Sequence, residues 1–243
     1  MFKPYIHTEA IHNLSAPRVI VPIVLEMIKP NSILDVGCGI GTWLKVFEEY
    51  GVDDYLGIDG DYVDRSTLKI SEKRFLPNDL RKRWSLNRKF DLVVSLEVAE
   101  HLPEEVADLF VSTLSAHGDT ILFSAAIPGQ GGQNHVNEQW PTYWQKKFEQ
   151  HGLFFYDHIR PIIWNNDKIE WWYKQNIFLL KRQKPSDKEP LSMALVHPEL
   201  FQLKEKQSAE AYNNLNQGKQ GLLPSLAILA KAFKYKVKKL LEW

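Results

Sequence analysis

The stretch Ile33-Leu34-Asp35-Val36-Gly37-Cys38-Gly39-Ile40-Gly41-Thr42-Trp43-Leu44 decides the fold class that we predict for this chain of 243 residues. An apolar strand is followed directly by three alternate glycines and by the start of a helix. The glycines let the backbone turn sharply and admit a ligand where a Cβ would collide with it. The free amides at the helix start point at the same ligand. Taken alone, the three glycines are also typical of a tight turn without a ligand. The prediction of a ligand site therefore depends on residues elsewhere in the chain.

The composition is typical of a soluble globular protein, with 44% hydrophobic and 25% charged residues. Thirty basic and thirty acidic residues cancel, so no global field favours nucleic acid as a partner. The single cysteine, Cys38, excludes an intramolecular disulfide and a multi-cysteine zinc site. Residues 1–13 lack the apolar segment of a secretory signal, and no window has the roughly 18 apolar residues of a spanning helix. We therefore expect a cytoplasmic protein.

Apolar runs and turn signals alternate along the chain in the way typical of βαβ units and a parallel sheet. We predict a doubly wound, Rossmann-like α/β domain at residues 1–182, with a seven-stranded and mostly parallel sheet. A linker with a short helix at 183–221 and a basic amphipathic helix at 222–243 form a C-terminal helical tail. The predicted strands are 32–36, 55–58, 74–76, 90–96, 120–124, 153–159 and 171–181, and the predicted helices are 16–27, 42–50, 103–114 and 140–151.

Two further acids follow the next predicted strands. Asp59 ends the second strand, 24 residues after Asp35, where a carboxylate can accept hydrogen bonds from both hydroxyls of a ribose. Asp79 follows the third strand, where an acid can accept from an adenine amino group. Either acid alone is also typical of a surface residue or a helix cap. Their placement at successive strand ends favours a nucleotide-like ligand.

With these residues the chain resembles the class I methyltransferases that use S-adenosylmethionine. The resemblance covers residues 31–181, through 33–44, Gly57-Ile58-Asp59, Asn78-Asp79-Leu80 and the segment 90–97. It implies that the methionine end is held by the loop, the ribose by Asp59 and the adenine by Asp79. The implied cofactor residues are Asp35, Gly37, Cys38, Gly39, Gly41, Asp59, Gly60, Asp79, Leu80 and Leu96. A nicotinamide-dependent dehydrogenase is the rival, but its third glycine would come one residue later.

The segment Glu97-Val98-Ala99-Glu100-His101 follows the fourth predicted strand. It resembles a Glu-x-x-Glu-His segment of ubiquinone-biosynthesis O-methyltransferases, in which both acids and the histidine are linked to a divalent cation. Oxygen and imidazole ligands suit Mg²⁺ or a transition ion. Methyltransferases without a metal also carry Glu-His at this place, so we expect no resident metal and keep Glu97, Glu100 and His101 as the alternative cation site. His101 is then a candidate general base, and Glu97 a candidate acceptor-binding residue.

A loop after the fifth predicted strand supplies a second set of polar residues. Its segment 134–141 resembles a signature of bacterial methyltransferases of surface-glycan and secondary-metabolite biosynthesis. The resemblance implies O-methylation of a sugar or another small-molecule acceptor, with His135 as the second candidate base. N-methylation, a non-catalytic subunit that binds the cofactor, and a merely solvated loop are the alternatives. The candidate acceptor-binding residues in this loop are Asn134, Asn137, Glu138 and Trp140.

The two ends of the chain add separate predictions. Tyr5, His7, His12 and Asn13 precede the first helix, and this segment either folds over the cofactor as a lid or caps the sheet edge. In residues 222–243, apolar residues recur at steps of three and four, and lysines lie largely outside that stripe. Such a helix suits peripheral contact with the inner face of a membrane, docking on the domain, or an oligomer contact with a second subunit.

Overall fold

The computed structural model describes residues 5–8, 11–185, 195–217, 219, 221, 224–231 and 234. Within these residues, seven strands form one sheet in the order β3-β2-β1-β4-β5-β7-β6. The first five strands run parallel, whereas β7 is antiparallel to both β5 and β6. The strands are β1 (Ser32–Val36), β2 (Asp54–Asp59), β3 (Phe75–Pro77), β4 (Leu92–Leu96), β5 (Thr120–Ser124), β6 (Phe154–Tyr156) and β7 (Phe178–Lys181).

Helices cover both faces of this sheet, as the doubly wound prediction requires. Neighbouring residues Ile33 and Leu34 of β1 belong to two different buried clusters, because successive side chains of a strand point to opposite faces. Ile33 packs in the cluster that contains residues of α1 and α2, and Leu34 in the cluster that contains residues of α3 and α4. The helices are α1 (Ser15–Ile28), α2 (Thr42–Glu49), α3 (Ala107–His117), α4 (Pro141–Glu149), α5 (Arg160–Ile163), α6 (Trp171–Asn176) and α7 (Pro198–Asn216).

The sheet order reverses between β1 and β4, which lie side by side although β2 and β3 come between them in sequence. Open α/β sheets bind ligands at such a switch point, outside the carboxyl ends of the strands. The glycine loop leaves β1 at this place, and the segment that begins at Glu97 leaves β4 beside it. The topology therefore brings the two segments that the sequence singled out to one edge of the sheet.

The prediction of the seven-stranded sheet is confirmed, but one predicted strand is wrong in its first half. Trp171–Asn176 forms helix α6, and the strand begins only at Phe178. The helix predicted from Pro103 also differs, because its first turn, Glu104–Val106, is a 3₁₀ turn and the α-helix begins at Ala107.

The chain divides into two units, Met1–His197 and Pro198–Trp243. The described part of the second unit contains α7 and the helical residues 224–231. Exposed apolar side chains of α7 include Phe201 and Tyr212. Of the predicted amphipathic helix, residues 222–223, 232–233 and 235–243 lie outside the described residues. No helix in the described part of the chain is both long enough and apolar enough to cross a membrane.

Candidate active site

The glycine loop adopts a backbone that only glycine accepts easily. Gly37 and Gly39 have φ angles of 84° and 54°, in the left-handed region. A Cβ at Gly37 would collide with the side chain of Val98, and one at Gly39 would lie 2.9 Å from Nε2 of His7. The loop therefore lies against two other segments, the turn after β4 and the N-terminal segment. Gly41 caps the start of α2 with a φ of 81°.

Asp59 lies at the end of β2 and is 5% exposed. Its Oδ2 accepts a hydrogen bond from the amide of Gly39 at 2.7 Å. Its Oδ1 accepts from the amide of Gly60 at 2.6 Å and from the Tyr62 hydroxyl at 2.7 Å. Burial raises the pKa of Asp59, while these donors oppose the rise. The acid predicted to hold a ribose thus faces the glycine loop, and Tyr62 holds a place that a ribose hydroxyl could take.

Asp35 and Cys38 are buried at the glycine loop. Asp35 is 2% exposed, and within the described residues its Oδ2 has no hydrogen-bond partner. Burial, and then the charge of Asp59, raise the pKa of Asp35 well above its usual range. Cys38 is buried, and burial raises the pKa of its thiol in the same way. Cys38 is part of the loop, and its side chain packs toward Gly57 of β2.

Asp79, the third predicted acid, is partly exposed to solvent. The Asp79 carboxylate pairs with Arg81, Nε to Oδ1 at 2.8 Å, and with Lys82 at 3.5 Å. The hydrogen bonds from Arg81 lower the pKa of Asp79 to about 2. Leu80 and Leu96 are both buried, and the backbone of neighbouring Asn78 is hydrogen-bonded to that of Asp59.

Glu97 begins the turn after β4 in an unusual conformation, with a φ of 54°. Its carboxylate accepts hydrogen bonds from the side-chain amides of Gln130 at 2.8 Å and Asn176 at 3.1 Å. Burial raises the pKa of Glu97, and these hydrogen bonds partly oppose the rise. The backbone amide of Glu97 also donates to the hydroxyl of Ser124 at 3.0 Å. Sequence reasoning missed both amide partners, because they come from distant parts of the chain.

The two polar segments after β4 and β5 are joined through one backbone carbonyl. The oxygen of Glu100 accepts hydrogen bonds from the amides of Val136 at 2.9 Å and Asn137 at 3.0 Å. These bonds place His135 beside His101, with ring centres 4.9 Å apart and ring planes at 82°. The structure therefore brings together the two histidines that the sequence predicted as candidate bases.

His135 is oriented by a carboxylate. Its Nδ1 lies 2.8 Å from Oε1 of Glu138, and the amides of Gly129 and Gly131 donate to the same carboxylate at 2.8 and 2.6 Å. Burial by itself would raise the pKa of Glu138, but the hydrogen bonds from these three groups outweigh it and lower the pKa. An ionised carboxylate only accepts hydrogen bonds, so Nδ1 of His135 is the donor to Glu138. Glu138 thus contacts a candidate base.

His101 and Glu100 complete the cluster. Burial, and then the neighbouring His135, lower the pKa of His101 to about 4, so this imidazole is neutral at neutral pH. Glu100 is fully buried, and burial raises the pKa of its carboxyl well above the usual range. One ligand atom each from Glu100, His101 and His135 lie within 4.8 Å of one another. The cluster shares Glu100 and His101 with the predicted cation site but contains His135 in place of Glu97.

The remaining predicted acceptor residues lie around this cluster. Asn134 has a φ of 60° and is half-buried, as is the neighbouring His135. Asn137 is 3% exposed and accepts a hydrogen bond from Gln139 at 3.0 Å. Trp140 is exposed and caps the start of α4, whereas Trp144, one helical turn later, is buried in the core.

The described part of the N-terminal segment lies over the same edge of the sheet. The ring of Tyr5 contacts the rings of His101 and His12, at centre distances of 5.0 and 5.6 Å. His7 stacks on Tyr62 with an angle of 9° between the rings. This segment thus contacts both the glycine loop, through His7, and the histidine pair, through Tyr5. Asn13 contacts Glu170 at 3.1 Å, away from these rings.

A family model described as a methyltransferase domain matches residues 11–176. The chain belongs to this family. Residues 11–176 therefore form a class I methyltransferase domain, and the cofactor of such a domain is S-adenosylmethionine. The predicted resemblance is confirmed.

Solved structures share the fold at low sequence identity. An amino pentose methyltransferase from Micromonospora echinaspora, CalS10, is 14% identical, covers 75% of this chain and 100% of its own, and has a TM-score of 0.52. An S-adenosylmethionine-dependent methyltransferase from Clostridium acetobutylicum is 12% identical, with coverages of 71% and 93% and a TM-score of 0.52. DesVI from Streptomyces venezuelae is 15% identical, with coverages of 69% and 92% and a TM-score of 0.50.

A relative is also found by sequence. An uncharacterized protein of Haemophilus influenzae is 28% identical over 157 residues, which is 63% of this chain. The match covers 52% of that protein, so this chain spans about half the length of the curated relative it matches.

Proposed function

We propose that this protein transfers the methyl group of S-adenosylmethionine to a hydroxyl oxygen of a small, carbohydrate-like acceptor. The observation that carries the proposal is the pair of imidazoles, His101 and His135, whose ring centres are 4.9 Å apart, with His135 oriented by Glu138. An amine acceptor needs little activation, whereas a hydroxyl benefits from a general base. A carboxylate-oriented imidazole is a base of this kind.

The cofactor suits the residues beside the glycine loop. Gly37 and Gly39 keep the loop free of large side chains, and Asp35 presents a buried carboxylate oxygen that is without a partner among the described residues. We propose that the ammonium group of the methionine end pairs with Asp35. The ribose hydroxyls would bind Asp59 in exchange for the Tyr62 hydroxyl, and Asp79 with Leu80 would hold the adenine.

The cofactor supplies a methyl group on a positively charged sulfur, which leaves as a neutral thioether. The chain must then place the acceptor oxygen in line with that methyl group and remove its proton. In our proposal the new C–O bond forms as the S–C bond breaks, and the hydroxyl proton passes to Nε2 of His135. Glu138 stabilises the resulting imidazolium through Nδ1.

The acceptor side is proposed from the polar groups around the histidines. Asn134 precedes His135, and the exposed Trp140 ends the same loop, and an aromatic face together with amides suits a sugar ring. Glu97 is half-buried and Asn137 is buried, and in our proposal they hold the two loops in place beneath the acceptor. CalS10, which has the same fold, is a methyltransferase for an amino pentose, so the fold accommodates acceptors of this size.

Substitution of the histidines tests the proposal. Calorimetry with S-adenosylhomocysteine reports cofactor binding, and formation of S-adenosylhomocysteine with a panel of sugars and sugar nucleotides reports turnover. We expect His101→Ala and His135→Ala to bind the cofactor product like the wild type, with at least one of them losing turnover by about 100-fold or more. The exposed His158 provides the control, because His158→Ala should leave both readouts unchanged. Full activity in both variants, or turnover with amines only, would contradict the proposal.

A further inference from the structure

Glu100 is a fully buried acid beside the histidine pair, and its carboxyl faces the backbone amides of Glu100 and Ala126 and the side chain of Glu97. Glu100 is 0% exposed, and in the described part of the chain neither of its carboxylate oxygens accepts a hydrogen bond of ordinary geometry. Buried acidic side chains are normally paired or bound to a metal, because an isolated charge is costly to remove from water. Nδ1 of His101 is likewise buried and, among the described residues, unpartnered. In the described part of the chain, these three atoms thus lack the well-formed hydrogen bonds that buried polar groups usually have.

The three side chains of the cluster come from two loops that are fixed to each other. Glu100 and His101 belong to the 3₁₀ turn Ala99–His101, and His135 to the loop that binds the Glu100 carbonyl through its amides. Their ligand atoms lie within 4.8 Å of one another before any ion is bound. Because the backbone itself joins the loops, little reordering is needed to surround an ion.

The contacts of His135 fit a metal ligand. Histidines that bind a metal through one ring nitrogen usually donate the other N–H to a carboxylate, which fixes the tautomer and strengthens the ligand. Nδ1 of His135 is 2.8 Å from Glu138, and Glu138 is held by two glycine amides. This leaves Nε2 as the ligand nitrogen. A Cβ at Gly132 would collide with Nε2 of His135, so the absence of a side chain at position 132 leaves room for this nitrogen.

We propose that Glu100, His101 and His135 bind a divalent transition-metal cation through one carboxylate oxygen and two imidazole nitrogens. A mixed set of this kind suits Mn²⁺, Fe²⁺, Co²⁺ or Zn²⁺ better than Ca²⁺ or Mg²⁺, which prefer oxygen ligands. Glu97, expected as a ligand in the alternative cation site, is not one here. Its carboxylate is engaged by Gln130 and Asn176 instead.

Three protein ligands leave coordination positions open for an acceptor. The cluster is next to the cofactor loop, since Val98 of the same turn contacts Gly37. A cation there would orient an acceptor hydroxyl and lower its pKa, and this role, unlike the binding itself, rests on the proposed O-methylation. With the cation bound, Nε2 of His135 would be a ligand, and the proton of the acceptor hydroxyl would then pass to water rather than to this nitrogen. Loss of turnover in histidine variants therefore fits both roles, and metal binding distinguishes them.

Titration with Co²⁺ tests the site without cofactor or acceptor. The full chain, stripped with a chelator, is titrated while visible absorption and calorimetric heat are recorded. We expect one equivalent to bind, with a cobalt spectrum typical of nitrogen and oxygen ligands. Glu100→Gln, His101→Gln and His135→Gln should each weaken binding by well over about tenfold, and Glu138→Gln by about 10- to 100-fold as the loss of an orienting partner. The matched control is His158→Gln, because His158 is exposed and outside the cluster, and this variant should bind Co²⁺ like the wild type.

The outcomes separate the metal site from the proposed function. Binding of S-adenosylhomocysteine and the thermal midpoint establish that each protein is folded. If Glu100→Gln fails to fold, the Co²⁺ affinity of His135→Gln tests the site instead. His135 is less buried than Glu100, so we expect its substitution to disturb folding less. A folded wild type that binds no Co²⁺, or equal binding in all three ligand variants, would overturn the site and leave Glu100 as a neutral buried acid. Specific Co²⁺ binding without any turnover of hydroxyl acceptors would overturn only the O-methylation.

Discussion

Gly37 illustrates how one absent Cβ positions two segments of the site. Its φ of 84° lies in the left-handed region, and the space that a Cβ would need is filled by Val98. The turn that carries Glu100 and His101 can therefore lie directly on the cofactor loop. A side chain at position 37 would both strain the backbone and push this turn away.

Gly37→Ala should destabilise the domain and weaken cofactor binding. We expect Gly51→Ala, at a φ of 89° and with nothing within 4 Å of its Cβ, to cost only the backbone strain of about 1–2 kcal/mol. Gly37→Ala should cost clearly more, because the collision with Val98 is added. Urea unfolding and calorimetry with S-adenosylhomocysteine measure the two effects. Equal losses of stability, with unchanged binding in Gly37→Ala, would show that the contact with Val98 does not matter.

Glu97 and Asn134 are two of the four non-glycine residues with a positive φ in the described part of the chain. Such conformations cost about 1–3 kcal/mol each and persist only where the surroundings enforce them. Both residues lie at the candidate active site. For Glu97, the enforcing contacts are the hydrogen bonds from Gln130 and Asn176.

Asn176→Ala should therefore reduce the stability of the protein more than the removal of an exposed amide does. The buried Glu97 carboxylate would keep one amide donor of two, and we expect a loss of about 1–3 kcal/mol in the free energy of unfolding. The exposed pair Gln145–Glu149, with a similar amide–carboxylate distance of 3.0 Å, provides the matched control. Gln145→Ala should cost less than about 0.5 kcal/mol. Urea unfolding measures the free energy of unfolding of both variants. A loss for Asn176→Ala as small as that for Gln145→Ala would contradict the view that Asn176 stabilises the conformation of Glu97.

Among the structural elements, the N-terminal segment couples pH to stability. Burial lowers the pKa of both His7 and His12 to about 4, whereas the unfolded chain has histidines near 6.5. Between about pH 6.5 and 4 the unfolded state binds more protons at these positions, so their contribution to stability falls as the pH falls. Buried Asp35 and Asp59, whose pKa values are raised, act in the opposite sense.

The double variant His7→Gln/His12→Gln isolates the histidine contribution from that of the acids. We expect the wild type to lose stability relative to the variant as the pH is lowered from 7.5 to about 5, because only the wild type must keep these two imidazoles unprotonated. The free energy of unfolding in urea is compared for both proteins at each pH. Parallel pH profiles would show that the two imidazoles are not buried in the folded protein.

The elements also show which parts of the structure could be predicted from the sequence. β1 and β5 have the predicted bounds, because each is a short apolar run between turn signals. The aromatic run at 171–181 was predicted as one strand from its β propensity. Its first half is helix α6, where Lys174, Gln175 and Asn176 are buried. Tertiary contacts such as Asn176 to Glu97 override local propensity there, and a pattern in one chain does not reveal them.

At the scale of the whole molecule, the parallel sheet explains why so much of the candidate site could be predicted. Residues that follow parallel strands meet at one edge, so Asp35, Asp59 and His101 could be placed from strand ends alone. Contacts between loops could not. The bonds from the loop at His135 to the Glu100 carbonyl, and the position of Tyr5 on His101, join residues far apart in sequence.

The division of the chain into two units predicts that the first one is sufficient for cofactor binding. Every residue of the sheet, the glycine loop and the histidine cluster lies within Met1–His197, and the family match ends at residue 176. We expect a chain truncated after His197 to fold and to bind S-adenosylhomocysteine with the affinity of the full chain, since no described site residue is removed. Circular dichroism on heating and calorimetry measure the two properties. The matched control ends at residue 176, and it should not fold because it lacks β7, which lies between β5 and β6 in the sheet. Loss of folding or of binding in the longer truncation would show that residues 198–243 are part of the methyltransferase domain itself.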